Sequence, residues 1–140
     1  MQYNNNLNNN KMFDWKKPTV QMLGRWQPWH DGHQALFKRC VAKTGQVIIQ
    51  VRDVQGSSGG DGQDDNPFDW DAVCKNIEDG LIKDNFKRGV DYEIMLVPNI
   101  VNITYGRGVG YAFDEEVFDD ATHSISATKI RKQMRDQGKL

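Results

Sequence analysis

Two of the three histidines in this chain, His30 and His33, stand three residues apart in Gly24-Arg25-Trp26-Gln27-Pro28-Trp29-His30-Asp31-Gly32-His33. An apolar stretch ends just before this segment, and a helical pattern begins within it. A helix start offers free N–H groups and the positive end of a dipole. Two imidazoles placed there, with Arg25 upstream, are donors aimed at one anionic group. They suit chemistry in which negative charge builds on a phosphoryl oxygen and needs aligned donors. Gly24 and Gly32 would let backbone approach the ligand closely, and Pro28 would stiffen the loop between them. The plain alternative is a pair of loop and helix-start histidines with ordinary hydrogen bonds. Metal is disfavoured, because a zinc site needs three or four ligands, His123 is distant, and Cys40 and Cys74 fall inside apolar helical patterns.

A second constellation, Ser126-Ala127-Thr128-Lys129-Ile130-Arg131, lies near the other end of the chain. Hydroxyls and N–H groups at a helix start hold phosphate oxygens, and Arg131 can grip them bidentately. Lys129, Arg131, Lys132 and Arg135 form a local basic cluster. Taken alone, the segment reads equally as a solvated basic helix with a serine cap.

The elements that must position these residues follow from periodicity. Val20, Met22 and Leu23 predict a buried strand ending at Gly24. Leu36, Phe37, Cys40 and Val41 lie on one face of a helix closed by Gly45, and Val47 to Val51 predict a second buried strand. This is strand, loop, helix and strand within about 35 residues, the size of a βαβ unit, which implies a parallel sheet. Gln55 to Asp65 contains no apolar residue and reads as a surface loop or lid. Asn66-Pro67 reads as a helix cap followed by the first helical position, with Trp70, Val73, Cys74, Ile77 and Leu81 at helical spacing behind it. Tyr92 to Val97 predicts a third strand, Ile100 to Tyr105 a fourth, and Tyr111 to Phe118 a weaker extended segment. Ser126 to Gln137 predicts a last helix, with Ser126 near its N-cap and Ile130 and Met134 on its inner face. The expected class is α/β, Rossmann-like, a parallel sheet with flanking helices in a single domain.

Composition sets the limits. With 140 residues there is room for one domain, and a formal charge of −1 argues against a general polyanion binder, so no nucleic-acid partner is expected. A nucleic-acid partner using the C-terminal basic helix remains a lesser reading. Mean hydropathy is −0.71, no apolar run is long enough for a membrane span, and the start lacks the charge-then-apolar pattern of a secretory signal. Two cysteines are too few for a disulfide scaffold, so a cytoplasmic setting with reduced thiols is expected. Six of the first ten residues are asparagine. Residues 1–16 therefore read as a flexible arm and 17–140 as the functional domain.

The first segment resembles the G-R-F-Q-P-x-H-x-G-H signature of the nucleotidyltransferase superfamily. Ile125-Ser126-Ala127-Thr128-Lys129-Ile130-Arg131 is similar to its second signature, I-S-x-T-x-x-R, in the same order. The resemblance covers Val20 to Met134. It implies a Rossmann-like domain that transfers a nucleoside monophosphate from a triphosphate to a phosphate-bearing acceptor and releases pyrophosphate. It further implies that His30, His33 and Arg131 are catalytic. Gly24, Arg25, Gln27, Gly32, Arg107, Ser126, Thr128 and Lys129 would bind nucleotide or phosphate. Mg2+ would be held through substrate phosphates, with no metal site of the protein's own.

Arg25-Trp26-Gln27-Pro28 and Asn66-Pro67-Phe68 look most like the adenylyltransferases acting on nicotinamide mononucleotide, so ATP and that acceptor are the leading pair. Of the serine-alanine-glutamine pattern those enzymes carry after the second strand, only Gln55 is kept. Tyr105-Gly106-Arg107-Gly108-Val109-Gly110-Tyr111 is similar to the G-R-D segment of sulfate adenylyltransferases, with glycine in place of the aspartate. A cytidylyltransferase, a sulfate-adenylyltransferase-like enzyme or a non-catalytic nucleotide-binding module stay open as alternatives. A homo-oligomer is allowed. Trp26 and Trp29 would either stack on a substrate ring or pack in the core, Trp70 would be core, and Trp15 would anchor the arm.

Overall fold

The computed structural model describes residues 11–108, 110–123 and 125–140. Its elements run β1 (Val20–Gly24), α1 (Asp31–Thr44), β2 (Val47–Arg52), α2 (Trp70–Ile82), β3 (Tyr92–Val97), α3 (Asp120–His123) and α4 (Ala127–Asp136). The sheet is parallel with order β1-β2-β3, Val20 pairing with Val47 and Val47 with Tyr92. Parallel neighbours need crossover connections, and α1 and α2 lie in them. This is the expected α/β, Rossmann-like class.

The core is continuous. Met22, Val47, Ile49, Val51, Tyr92 and Ile94 from the strands meet Phe37 and Cys40 of α1 and Val73, Cys74, Ile77 and Leu81 of α2. Along β2 the burial alternates, with Ile48 and Gln50 only half-buried between buried neighbours. Gln21, Gln50 and Met95 form a side-chain ladder across that more open face. The apolar run in β2 thus packs with one side more fully than the other. Both cysteines are free and buried in the helices where their spacing put them.

Helix α1 stops at Gly45, whose φ of 91° is the left-handed cap that glycine adopts without strain, and whose N–H donates to the Val41 carbonyl. Helix α4 starts at Ser126, whose hydroxyl accepts from the Lys129 N–H. The start of α2 departs from the expectation. Its cap is Asp69, accepting from the Ala72 N–H, and not Asn66. Asn66 is buried with its side-chain amide already engaged by Arg25, Ser57 and Gln63, so it has nothing left for a helix start.

Two further expectations are corrected. Ile100 to Tyr105 is not a strand: Pro98 lacks an N–H for a ladder, and the Asn99 side chain is held by Arg52 where β3 ends. Tyr111 to Phe118 is irregular as well. It lies across α1, where Arg39 and Lys43 bind Glu116 and Asp114, and α3 follows it. The expected arm falls mostly on residues 1–10, outside the described residues. From there the chain touches the domain through Phe13 N–H to the Gly89 carbonyl and through Asp14 to the Gln46 side chain. Trp15 is exposed, its ring edge-on to Phe13.

Candidate phosphate-binding site at the first helix start

The site begins where β1 leaves the sheet. Trp26 has a positive φ of 54°, a conformation bulky residues rarely adopt, and the Gln27–Pro28 peptide is cis. The Trp26 indole N–H donates to the Gln50 carbonyl at 3.1 Å, tying its ring back to β2. Trp26 and Trp29 are both buried and packed on each other at 5.2 Å, so of the two roles weighed for them the core one holds. Trp70 is partly buried against the same core. A Cβ at Gly24 would lie 2.8 Å from the Trp26 ring, and one at Gly32 would lie 2.9 Å from the His30 ring. Both glycines are thus required by the protein's own aromatic rings.

His30 caps α1 in an extended conformation. Its Nδ1 accepts the N–H of Gly32 at 3.0 Å and of His33 at 3.4 Å, while the His33 Nδ1 accepts the His30 N–H at 3.2 Å. This is a capping box built from two histidines. A ring nitrogen that accepts carries no proton, so each neutral imidazole holds its proton on Nε2. The rings stack at 3.6 Å, and Trp26 meets His33 edge-on at 4.7 Å. Burial first, and then the neighbouring His30, push the His33 pKa down to about 3, while burial lowers that of His30. Both rings are therefore neutral donors near pH 7.

Arg131 reaches this loop from α4. It is 4% exposed and donates through Nη1 to the Gln27 carbonyl at 2.6 Å, through Nε to Asp65 at 2.8 Å, and through Nη2 to the Thr128 hydroxyl at 3.3 Å. Arg135 forks onto the same Asp65 carboxylate at 2.7 and 2.9 Å. Hydrogen bonds from Arg135 and then Arg131 hold the Asp65 carboxyl well below the usual range. Arg25 donates through Nη1 to Asn66 Oδ1 at 2.7 Å and to the Asp65 carbonyl at 3.3 Å. Burial, then the neighbouring Arg131 and Arg52, lower its pKa.

The structure thus brings Arg25, Gln27, His30, His33, Thr128 and Arg131 onto one loop and its flanking helix starts. Gln27 is buried as a strut, with its amide bonded at both ends to the Phe68 backbone at 2.9 Å. Ser126 is spent on its cap, and Lys129 is exposed beside it. Arg107 is not brought in. It is exposed in the irregular segment and makes no hydrogen bond or ion pair among the described residues. Val109 of the same glycine-rich segment lies outside the described residues.

Sequence reasoning missed Asp65 and Arg52 and gave Asn66 a different task, because the contacts with Arg131, Asn99 and Arg25 that define these three residues lie 66, 47 and 41 positions away. The 55–65 loop is pinned through them, with Gly59 and Gln63 on Arg52, Ser57 on Asn66 and Asp65 on Arg131. No group of three or more His, Cys, Asp or Glu fit to hold a metal occurs among the described residues, and no described helix is long and apolar enough to cross a membrane.

No protein-family model matches the chain. It is 24% identical over 126 residues to the nicotinamide-nucleotide adenylyltransferase of Methanococcus aeolicus, an alignment covering 84% of this chain and 71% of that protein. This chain is therefore similar, at a distance, to a nucleotidyltransferase.

Proposed function

We propose that the chain is an adenylyltransferase that moves AMP from ATP onto a phosphate-bearing acceptor, nicotinamide mononucleotide first among candidates, with release of pyrophosphate. The observation that carries this reading is the reciprocal histidine cap. It leaves two neutral Nε2–H donors at a helix N-terminus, beside the guanidinium of Arg131. Donors fixed before the reaction stabilise charge that grows on phosphoryl oxygens without needing to reorganise. An oxygen of the acceptor phosphate attacks the α-phosphorus, the bond from the α-phosphorus to the β-bridging oxygen breaks, and pyrophosphate leaves. No covalent bond to the protein forms. His30 and His33 donate to triphosphate oxygens, and Thr128, Lys129 and Arg131 draw on the departing phosphates. The distant likeness to an enzyme of that name supports the same class.

The residues present do not fit a magnesium cage, because the donors are neutral or cationic and Asp65 is spent on two arginines. Mg2+ would enter on the triphosphate's own oxygens and water. Incubation with ATP, Mg2+ and nicotinamide mononucleotide should release pyrophosphate, and His33→Ala should cut the rate about 10²–10³-fold. Parallel incubations with CTP or with sulfate test the related transferases. Turnover unaffected by the loss of His33 would sink the assignment. Binding without turnover is favoured by one observation, the pairing of Arg131 with Asp65, and predicts that ATP raises the melting temperature with no pyrophosphate from any acceptor.

A further inference from the structure

We propose that Arg52 and Arg25 form an oxyanion-binding subsite that takes the anionic group of the acceptor, whose apolar part lies against Ile100, Val101 and Ile103. The subsite is a cleft of about 550 Å³ at the carboxyl ends of β1 and β2, with Leu23 and Gly24 on its wall beside both arginines. That the ligand is the acceptor rests on the proposed transferase function; the anion site stands on its own geometry.

Arg52 is 8% exposed, yet its partners are all neutral. Nε and Nη2 donate to Asn99 Oδ1 at 3.1 and 2.6 Å, Nη2 also to the Gly59 carbonyl at 2.9 Å, and Nη1 to Gln63 Oε1. Buried charges are ordinarily paired, because an uncompensated one is costly to desolvate. Arg131 meets that requirement with Asp65. Neither Arg52 nor Arg25 forms an ion pair with any carboxylate among the described residues. Both cations line one cleft with no carboxylate ion-paired to either; burial, Arg131 and Arg52 lower the Arg25 pKa against the opposing pull of Asp65 and Asp64.

Donor capacity remains. Arg25 keeps Nε and Nη2 unspent, and Arg52 keeps one N–H on Nη1. Asp61 is the carboxylate on the wall. It is exposed and makes no ion pair with either arginine. In the same cleft, Val101 is 78% and Ile103 59% exposed, an apolar surface that a bound ring would cover. A small molecule with an oxyanion at one end and a flat apolar or aromatic group at the other matches both walls.

The test is calorimetric titration, without ATP, of inorganic phosphate and of nicotinamide mononucleotide into the wild type, Asn99→Asp, Arg52→Met and His30→Asn. Asn99→Asp retains Arg52 and hands it an internal counter-ion, so folding is preserved while the ligand is displaced. Both probes should bind the wild type, the mononucleotide more tightly. Asn99→Asp should weaken both about 10–100-fold, with the melting temperature unchanged or raised. Absence of binding by the wild type overturns the proposal. So does undiminished binding in Asn99→Asp and Arg52→Met, a lowered melting temperature in Asn99→Asp, or weakening confined to His30→Asn. Pyrophosphate release is a separate readout. If it is absent while phosphate binding stays sensitive to Asn99→Asp, the transferase reading fails and the subsite stands.

Discussion

The Nδ1 of His30 accepts the His33 N–H, and the Nδ1 of His33 accepts the His30 N–H, at 3.4 and 3.2 Å. The same pair therefore starts α1 and orients two donors. Capping and donation use different nitrogens of each ring, so they can be separated by substitution. His30→Ala should cost about 1 kcal/mol of stability, as loss of a helix cap usually does, whereas His30→Asn should stay within a few tenths of wild type. Both should lose turnover about 10²–10³-fold. Chemical denaturation alongside a pyrophosphate assay checks this, and wild-type rates in His30→Asn would contradict it.

Acid should weaken the fold through the same pair. An imidazolium cannot accept a hydrogen bond on Nδ1, and the folded pKa of His33 is about 3 against about 6.5 in an unfolded chain. The unfolded state therefore takes up the proton first. The stabilising contribution is complete above about pH 6.5 and declines as pH falls toward the folded value. Between pH 6.5 and about pH 5 the loss should reach roughly 2 kcal/mol. Denaturation midpoints across that range measure it. A flat profile would mean that the folded ring takes up its proton over the same pH range as the unfolded one.

Asp65→Ala should leave Arg131 buried beside Arg135 with no counter-charge. The cost expected is about 1–3 kcal/mol, below that of a fully buried pair because the Asp65 side chain is 39% exposed. A triphosphate bound at the site would supply the missing negative charge. ATP should therefore narrow the gap in melting temperature between variant and wild type. A gap that ATP leaves unchanged would separate Arg131 from nucleotide binding.

Gly24→Ala would drive a methyl group into the Trp26 ring, three of whose atoms lie within 2.9 Å of the added Cβ. The ring is buried and tethered to the Gln50 carbonyl, so it has little freedom to yield. Overpacking of this kind costs about 1–3 kcal/mol, or roughly 3–10 °C in melting temperature for a chain of this size. Tryptophan fluorescence should shift with it. An unchanged melting temperature would show that the loop relaxes without cost.

Local pattern carried much of this architecture. The three strands, the Gly45 stop and the Ser126 cap each depend on residues within a turn or two, and each is legible from its neighbours. The failures share a different cause. Ile100, Val101 and Ile103 have the composition of a strand, but Pro98 cannot donate to a ladder and Arg52 fixes Asn99 directly after β3, contacts that composition does not show. Asn66 has the type of a helix cap, but its amide is claimed by Arg25, 41 positions away in sequence. At the site, spacing identified the histidines as a pair and could not reveal their reciprocal bonds. Asp65 stands in an acidic loop that reads as solvated, and only the folded chain shows two arginines on its carboxylate.

Arg131 lies 104 positions beyond the Gln27 carbonyl to which it donates. The loop after the first strand is thus completed by a segment synthesised long after it. While the ribosome still holds α4, the nascent domain can form its sheet and its histidine cap, yet Asp65 and the Gln27 carbonyl have no guanidinium. Completion of that loop should accordingly come well after the sheet, as a single event set by the docking of one helix.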